Sequence, residues 1–116
     1  RLVRVLCRTC RRPVTVTEAE WRASGIDPAR FAGRTVYDRG GCEACAQSGY
    51  FGRRAVGELL ERHDEIRQLI LERRPVGEIK KKARGFGMRT LREGAVDKVF
   101  DGTTSLREIN KVTFVE

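Results

Sequence analysis

No stretch of the 116 residues approaches the roughly 18 consecutive apolar residues that a membrane span needs. The opening Arg1-Leu2-Val3-Arg4 also lacks the apolar run of a secretory leader. There is no GxxxxGKS or GxxxxGKT phosphate loop, no GxGxxG turn, no GxSxG nucleophile elbow and no HExxH pair. These absences remove the common nucleotide, hydrolase and metalloprotease chemistries, and no catalytic residue is expected in this segment. Histidine occurs once, as His63, and the aromatics are five Phe, two Tyr and one Trp, most at core-like positions. Too few aromatics interleave with the basic residues to suggest a base-stacking surface.

Basic residues, by contrast, are plentiful. Lys and Arg number 24 against 16 Asp and Glu, a formal charge of +8 that suits an anionic partner but does not choose among nucleic acid, lipid and protein. Arg4, Arg8, Arg11 and Arg12 crowd the first cysteine pair and are expected to offset the charge of a thiolate site there. Lys80-Lys81-Lys82 reads as the solvated face of a helix. A hydrophobic content of 40% supports a modest core, so the chain is globular and its expected location is the cytoplasm, without membrane insertion. Because it opens on Arg1 and not Met, it is expected to be part of a longer protein.

The four cysteines form two CxxC pairs, Cys7/Cys10 and Cys42/Cys45. A CxxC turn lets two sulfurs from one tight loop reach one ion, and two such turns complete the tetrahedral shell zinc prefers. The 31 residues between Cys10 and Cys42 exceed the usual ribbon spacing, but they carry their own helix signals and can be looped out. Two disulfides would require an oxidising compartment for which nothing argues, and a thioredoxin-like redox site needs only one pair. A rubredoxin-like iron site shares the spacing, so iron is a plausible substitute, although Arg11 and Ala46 stand where glycine is usual. His63 lies far from both pairs in sequence and is expected to face solvent. With Cys7, Cys10, Cys42 and Cys45 all as ligands, no position is open for water and the site is structural.

Along the chain, branched residues in Leu2–Leu6 suggest a strand, with Val14 and Val16 in a returning one. Thr17 and Glu20 make a capping box that starts a helix at Glu18, flanked by Val16 and Trp21 as a hydrophobic staple. Asp27-Pro28 starts a second short turn through Phe31, and Trp21 and Phe31 form the apolar body of this insert. Val36-Tyr37 leads to the second knuckle. Near residue 58 the texture changes to helical periodicity. One helix starts at Asp64-Glu65 and ends near Arg74-Pro75, and a second carries Val76, Ile79 and Ala83. A third carries Met88, Leu91, Ala95 and Val99, and a fourth opens on a Ser105/Glu108 capping box. The expected fold is α+β: a four-cysteine zinc-knuckle subdomain with short strands over residues 1–57, then a small helical bundle over 58–116.

The ordered residues resemble one family in particular. Arg1-Leu2-Val3-Arg4 runs into Cys7-x-x-Cys10. Then come Gly41-Cys42-x-x-Cys45-x-x-Ser48-Gly49-Tyr50-x-Gly52-Arg53, Glu58-Leu59-Leu60, Gly87-Met88-Arg89-Thr90-Leu91 and Thr104-Ser105-Leu106. This series is similar to the C-terminal region of the type II secretion and type IV pilus assembly ATPases. Departures are Arg8, where proline is frequent, and Ala55-Val56-Gly57, where a Gly-Ile-Tyr run is commoner. The resemblance implies the non-catalytic, metal-binding end of a cytoplasmic hexameric ATPase, peripheral to the inner membrane and docked on a platform protein. ATP and magnesium would belong to the missing motor domain, and Cys7, Cys10, Cys42 and Cys45 would be the zinc ligands. The competing reading, drawn from the charge, is a zinc-ribbon nucleic-acid module.

Overall fold

The computed structural model describes residues 1–31 and 33–115. Strand β1 (Leu2–Leu6) pairs antiparallel with β4 (Tyr50–Ala55), and β2 (Arg12–Val14) pairs antiparallel with β3 (Val36–Asp38). Val3 and Leu6 turn inward and are fully buried. The β1–β4 register runs from Leu2 opposite Ala55 to Arg4 opposite Arg53, then jumps to Leu6 opposite Tyr50. β4 therefore holds one residue more than β1 across the jump. Gly52, at a left-handed φ of 85°, accommodates that bulge, because a side chain is disfavoured there.

Helix α1 (Glu18–Ala23) begins where the capping box places it: the Thr17 hydroxyl accepts from the Glu20 N–H and Glu20 Oε2 accepts from the Thr17 N–H. Asp27 accepts from the Ala29 N–H and opens the 3-10 turn Pro28–Phe31. Trp21 stacks on Phe31 with ring centroids 3.8 Å apart, and Phe31 stacks in turn on Phe100 at 3.7 Å. The third ring of this ladder belongs to α4 (Leu91–Phe100), some seventy residues on. The aromatic body of the insert is thus completed from the far end of the chain.

That reach recurs throughout the core. Val3, Trp21, Ile26, Phe31, Val36 and Val56 share one buried cluster with Ala95, Val96 and Val99 of α4 and Ile109 of α5 (Leu106–Val112). By its contacts the chain divides into two units: Arg1–Val56 together with everything from Leu91 onward, and Gly57–Thr90. The expected boundary near 58 marks the first junction. The expected bundle over 58–116 does not form as one body, because α4 and α5 bury their apolar residues against the strands of the cysteine-bearing half. Local periodicity shows that a helix has an apolar face but does not say which partner covers it.

In the second unit, α2 (Asp64–Leu71) packs on α3 (Val76–Gly85), burying Ile66 and Ala83. α2 stops short of the expected Arg74-Pro75, since Arg73 adopts a left-handed φ of 55° that ends helical continuation. Met88 does not begin α4. Its N–H donates to the Ala83 carbonyl and that of Gly87 to Arg84, closing α3 in a Schellman arrangement. His63 is half-exposed, with its ring stacked on Phe86 at 4.1 Å.

The Ser105/Glu108 box is only half made. The Ser105 hydroxyl accepts from the Glu108 N–H at 3.1 Å, but the Glu108 carboxylate turns to Arg4, 104 residues away. Its Oε2 accepts from the Arg4 backbone N–H at 2.8 Å, and Oε1 from Arg4 Nη2 at 3.0 Å. Thr104 Oγ1 donates to the Arg4 carbonyl at 2.7 Å, and the Thr103 carbonyl accepts from the Leu6 N–H at 2.8 Å. From Arg4 to Leu6 the outer edge of β1 is sealed by this segment, which satisfies backbone groups that would otherwise seek another strand.

Burial alone would push the Glu108 carboxyl up, but the Arg4 guanidinium and backbone N–H outweigh it and hold the carboxyl below its usual range. A depressed folded value contributes stability that is complete above the unfolded value of about 4.3 and is lost as pH falls through the folded one. Glu108→Ala is expected to cost about 2–3 kcal/mol at neutral pH, near the low end for breaking a buried pair. The cost is moderated because Arg4 is 45% exposed and can rehydrate, whereas Glu108 is 3% exposed. Denaturant titration at pH 7 and pH 3.5 checks this: the gap between wild type and variant should narrow at the lower pH.

Candidate metal centre

Each cysteine pair sits on a turn fixed by its own backbone. The Arg11 N–H donates to the Cys7 carbonyl at 2.9 Å, and the Gln47 N–H to the Cys42 carbonyl at 2.8 Å. Cys45 closes a short 3-10 turn, Glu43–Cys45, and the next residue, Ala46, is left-handed at φ 52°. This is the conformation that makes glycine usual at that place in iron-type knuckles. The two turns are tied together by the Cys7 N–H, which donates to the Gly49 carbonyl at 2.9 Å.

This scaffold brings the four sulfurs within 4.8 Å of one another. Cys7 Sγ lies 3.8 Å from Cys42 Sγ, and Cys45 Sγ lies 3.7 Å from both Cys10 Sγ and Cys42 Sγ. All four thiols are free, and these separations are nearly twice the S–S bond length. They match the edge of a tetrahedron with sulfurs at about 2.3 Å from its centre, which is about 3.8 Å. The four cysteines can therefore hold one metal ion with every ligand supplied by the protein.

Backbone donors prepare the sulfurs for charge. Burial opposes ionisation of Cys45, but the N–H groups of Cys42 (3.4 Å) and Gly49 (3.2 Å), with the thiols of Cys42 and Cys10, bring it down to about 6. Burial likewise opposes charge at Cys7, where the N–H groups of Thr9 and Cys10 and neighbouring thiols lower it on balance. Cys10 is pushed up to about 12 by burial and by the thiols of Cys42, Cys45 and Cys7. Four thiols this close cannot all ionise without a cation between them, and a bound metal supplies that charge.

The arginines expected to balance the centre are otherwise occupied in part. Arg4 is held by Glu108 and lies over the Tyr50 ring at 4.1 Å. Arg11 Nη1 donates to the Gly102 carbonyl at 2.8 Å and its guanidinium lies over Tyr37 at 4.2 Å. The groups that lower the thiols are backbone N–H donors and other thiols, not these side chains. His63 lies outside the cluster.

Sequence reasoning gave no structural role to three residues that build the site's surroundings. Ser48 donates to the Cys45 and Tyr50 carbonyls at 2.7 and 2.9 Å, and the Tyr50 hydroxyl meets Ser105 Oγ at 2.8 Å, tying the second knuckle to the start of α5. Gly40 packs so tightly on the first knuckle that a Cβ there would overlap the Cys10 carbonyl. Gly40→Ala should therefore spread the two turns and weaken metal retention roughly 10–100-fold, as for other changes just outside a ligand set. Competition with a chromophoric chelator measures this. In the sequence, Ser48 and Tyr50 stand in the motif series without a role of their own, and Gly40 is signalled only by the glycine pair before Cys42.

The model of a family described as Type II/IV secretion system protein matches residues 1–111. Among curated relatives, the chain is 41% identical over 109 residues to the type IV pilus assembly ATPase PilB of Thermus thermophilus. It is 39% identical over 113 residues to the type II secretion system protein E of Pseudomonas aeruginosa, and 34% over 110 residues to PilB of Myxococcus xanthus. These alignments cover 94%, 97% and 94% of this chain but only 12%, 22% and 19% of the relatives. The chain spans less than a quarter of the length of the proteins it matches. Nearly complete coverage by the family model, with both cysteine pairs inside the match, settles the kinship: the chain belongs to the Type II/IV secretion system protein family.

Proposed function

We propose that Cys7, Cys10, Cys42 and Cys45 bind zinc, with iron as a possible substitute, and that this chain is a non-catalytic docking module. Its parent would be a cytoplasmic ATPase, working as a homohexamer at the inner membrane to power type II secretion or type IV pilus assembly. The module would transmit ATP-driven motion to a platform protein, while ATP and magnesium would be handled by a motor domain elsewhere in the parent. One observation carries this reading: the four sulfurs lie within 4.8 Å of one another, three of their separations at 3.7–3.8 Å, and four such ligands around one ion would leave no position for water or substrate. Such a centre braces a fold and does not catalyse hydrolysis. Among the described residues no helix is long and apolar enough to cross a membrane.

In the full motor, serine replacements at Cys7 and Cys42 should abolish secretion or piliation. Normal assembly with those variants would overturn the docking role. Metal analysis of the purified chain should return one zinc per molecule. The nucleic-acid reading retains the +8 charge, but Trp21 and Phe31 are buried and Arg4 and Arg11 are bound within the protein. Titration with labelled DNA and RNA at two salt concentrations should show no tight, steeply salt-dependent binding.

A further inference from the structure

The two edges of the β1–β4 sheet are treated differently. β1 is sealed from Arg4 to Leu6 by Thr103, Thr104 and Glu108, as described above. At β4, the Arg1 N–H and Val56 carbonyl, and the Val56 N–H and Arg1 carbonyl, bond to each other at 2.8 and 2.7 Å. The antiparallel alternation then makes Val3 and Arg54 the next bonded pair and turns the N–H and C=O of Arg53 and Ala55 away from β1. Arg4, the partner of Arg53, shows the same outward direction in its bonds to Glu108 and Thr104. Ahead of the bulge, the Ser48 hydroxyl caps the N–H and carbonyl of Tyr50. Among the described residues, no group bonds the outward N–H and C=O of Arg53 and Ala55.

These open groups recur at every second residue, the spacing at which an added strand bonds. Every residue of β4 after Tyr50 is exposed, and Phe51 is 70% exposed beside the open stretch. Arg53 faces the same side as Arg4, and Arg54 the same side as Val3, so consecutive residues of an incoming strand would meet a guanidinium on each face. Arg54 also lines a cleft of about 240 Å³ with Arg8 and Arg11, in which Asp101 is the acidic member. A second copy pairing edge to edge would set arginine near arginine, which like-charge repulsion across strands disfavours.

We propose that the outer edge of β4 accepts an extended acidic segment of a partner protein as a third strand. Arg53 and Ala55 would supply the backbone bonds, Arg53 and Arg54 the charge selection, and Phe51 an apolar anchor. This deepens the docking reading and rests on it.

A displayed library of random twelve-residue peptides, selected against the metal-loaded chain, tests the proposal. Selected peptides should be enriched in adjacent Asp and Glu. At saturation they should slow hydrogen exchange of the Arg53 and Ala55 amides by about tenfold or more while leaving the Arg54 amide, already bonded to β1, unchanged. The double variant Arg53→Glu, Arg54→Glu, checked for normal metal content, should lose these peptides. The proposal is overturned if the library yields no binder sensitive to that variant, if acidic and basic peptides bind alike, or if the two amides stay fast with peptide bound. Protection of both amides in the free chain that grows with its concentration would replace the partner with a second copy and also overturn it. In the full motor, normal secretion or piliation with the arginine variant but not with the serine variants at Cys7 and Cys42 would remove the edge and leave the docking reading standing.

Discussion

Stripping the metal with a strong chelator is expected to abolish the cooperative unfolding transition of the cysteine-bearing unit. Structural zinc contributes about 10–16 kcal/mol in zinc-finger peptides, as much as the whole stability of an ordinary domain. Here the two knuckles come from segments 35 residues apart in sequence, and four thiolates so close would repel one another without a cation between them. Trp21 sits in the core of the same unit and reports on it. Its emission should shift to the red on chelation and recover when zinc is restored. Cys7→Ser with Cys42→Ser should give the chelated behaviour permanently. Because each ligand must shed a proton to bind, metal retention should weaken as pH falls, with release measured by a zinc-sensitive dye. A melting curve unchanged after complete metal loss would contradict the structural role.

The second large effect concerns where the domain ends. A fragment stopping at residue 57, where the cysteines, the capping box and both small sheets are all retained, should not fold even with zinc. It would lack Ala95, Val96, Val99 and Ile109 from the buried cluster and Phe100 from the aromatic ladder. The two valines and the isoleucine alone represent roughly 5 kcal/mol or more at about 1.5–3 kcal/mol each, and the outer edge of β1 would be left bare. Replacing Gly57–Thr90 with a flexible Gly/Ser linker of the same length should, by contrast, preserve a zinc-dependent cooperative melt. Such a linker has a root-mean-square reach of about 30 Å, and its closure adds little entropy cost beyond that of the segment it replaces. Near-ultraviolet circular dichroism distinguishes the two outcomes. A cooperative melt from the 1–57 fragment would restore the contiguous division.

What the sequence determined by itself was whatever is encoded over a few residues. The CxxC spacing marks Cys7, Cys10, Cys42 and Cys45 as one set because a two-residue gap is set by the bite of a single turn. Thr17 and Glu20 fix the start of α1 because both partners of a capping box lie within one helical turn. Asp64 marked a helix start because negative charge suits the first turn, and Ser105 because its cap bond to the Glu108 N–H closes within one turn. The order of motifs from Arg1 to Leu106 pointed to the family without any knowledge of packing.

Tertiary structure decided everything that depends on distant partners. Glu108 sits in a perfectly readable local motif, yet its buried carboxylate serves Arg4, because the strand edge offers a charged donor and an otherwise unpaired N–H that the local capping bond cannot match. α4 and α5 leave the bundle their periodicity suggests, because a helix face specifies apolarity and not an address. Ser48 and Gly40 matter through neighbours that only the folded knuckles supply. The centre that the cysteines announce is thus local in its ligands and long-range in its support, and the difference follows from geometry: a turn is closed by its own backbone, while a core and a strand edge are closed by whatever the rest of the chain brings to them.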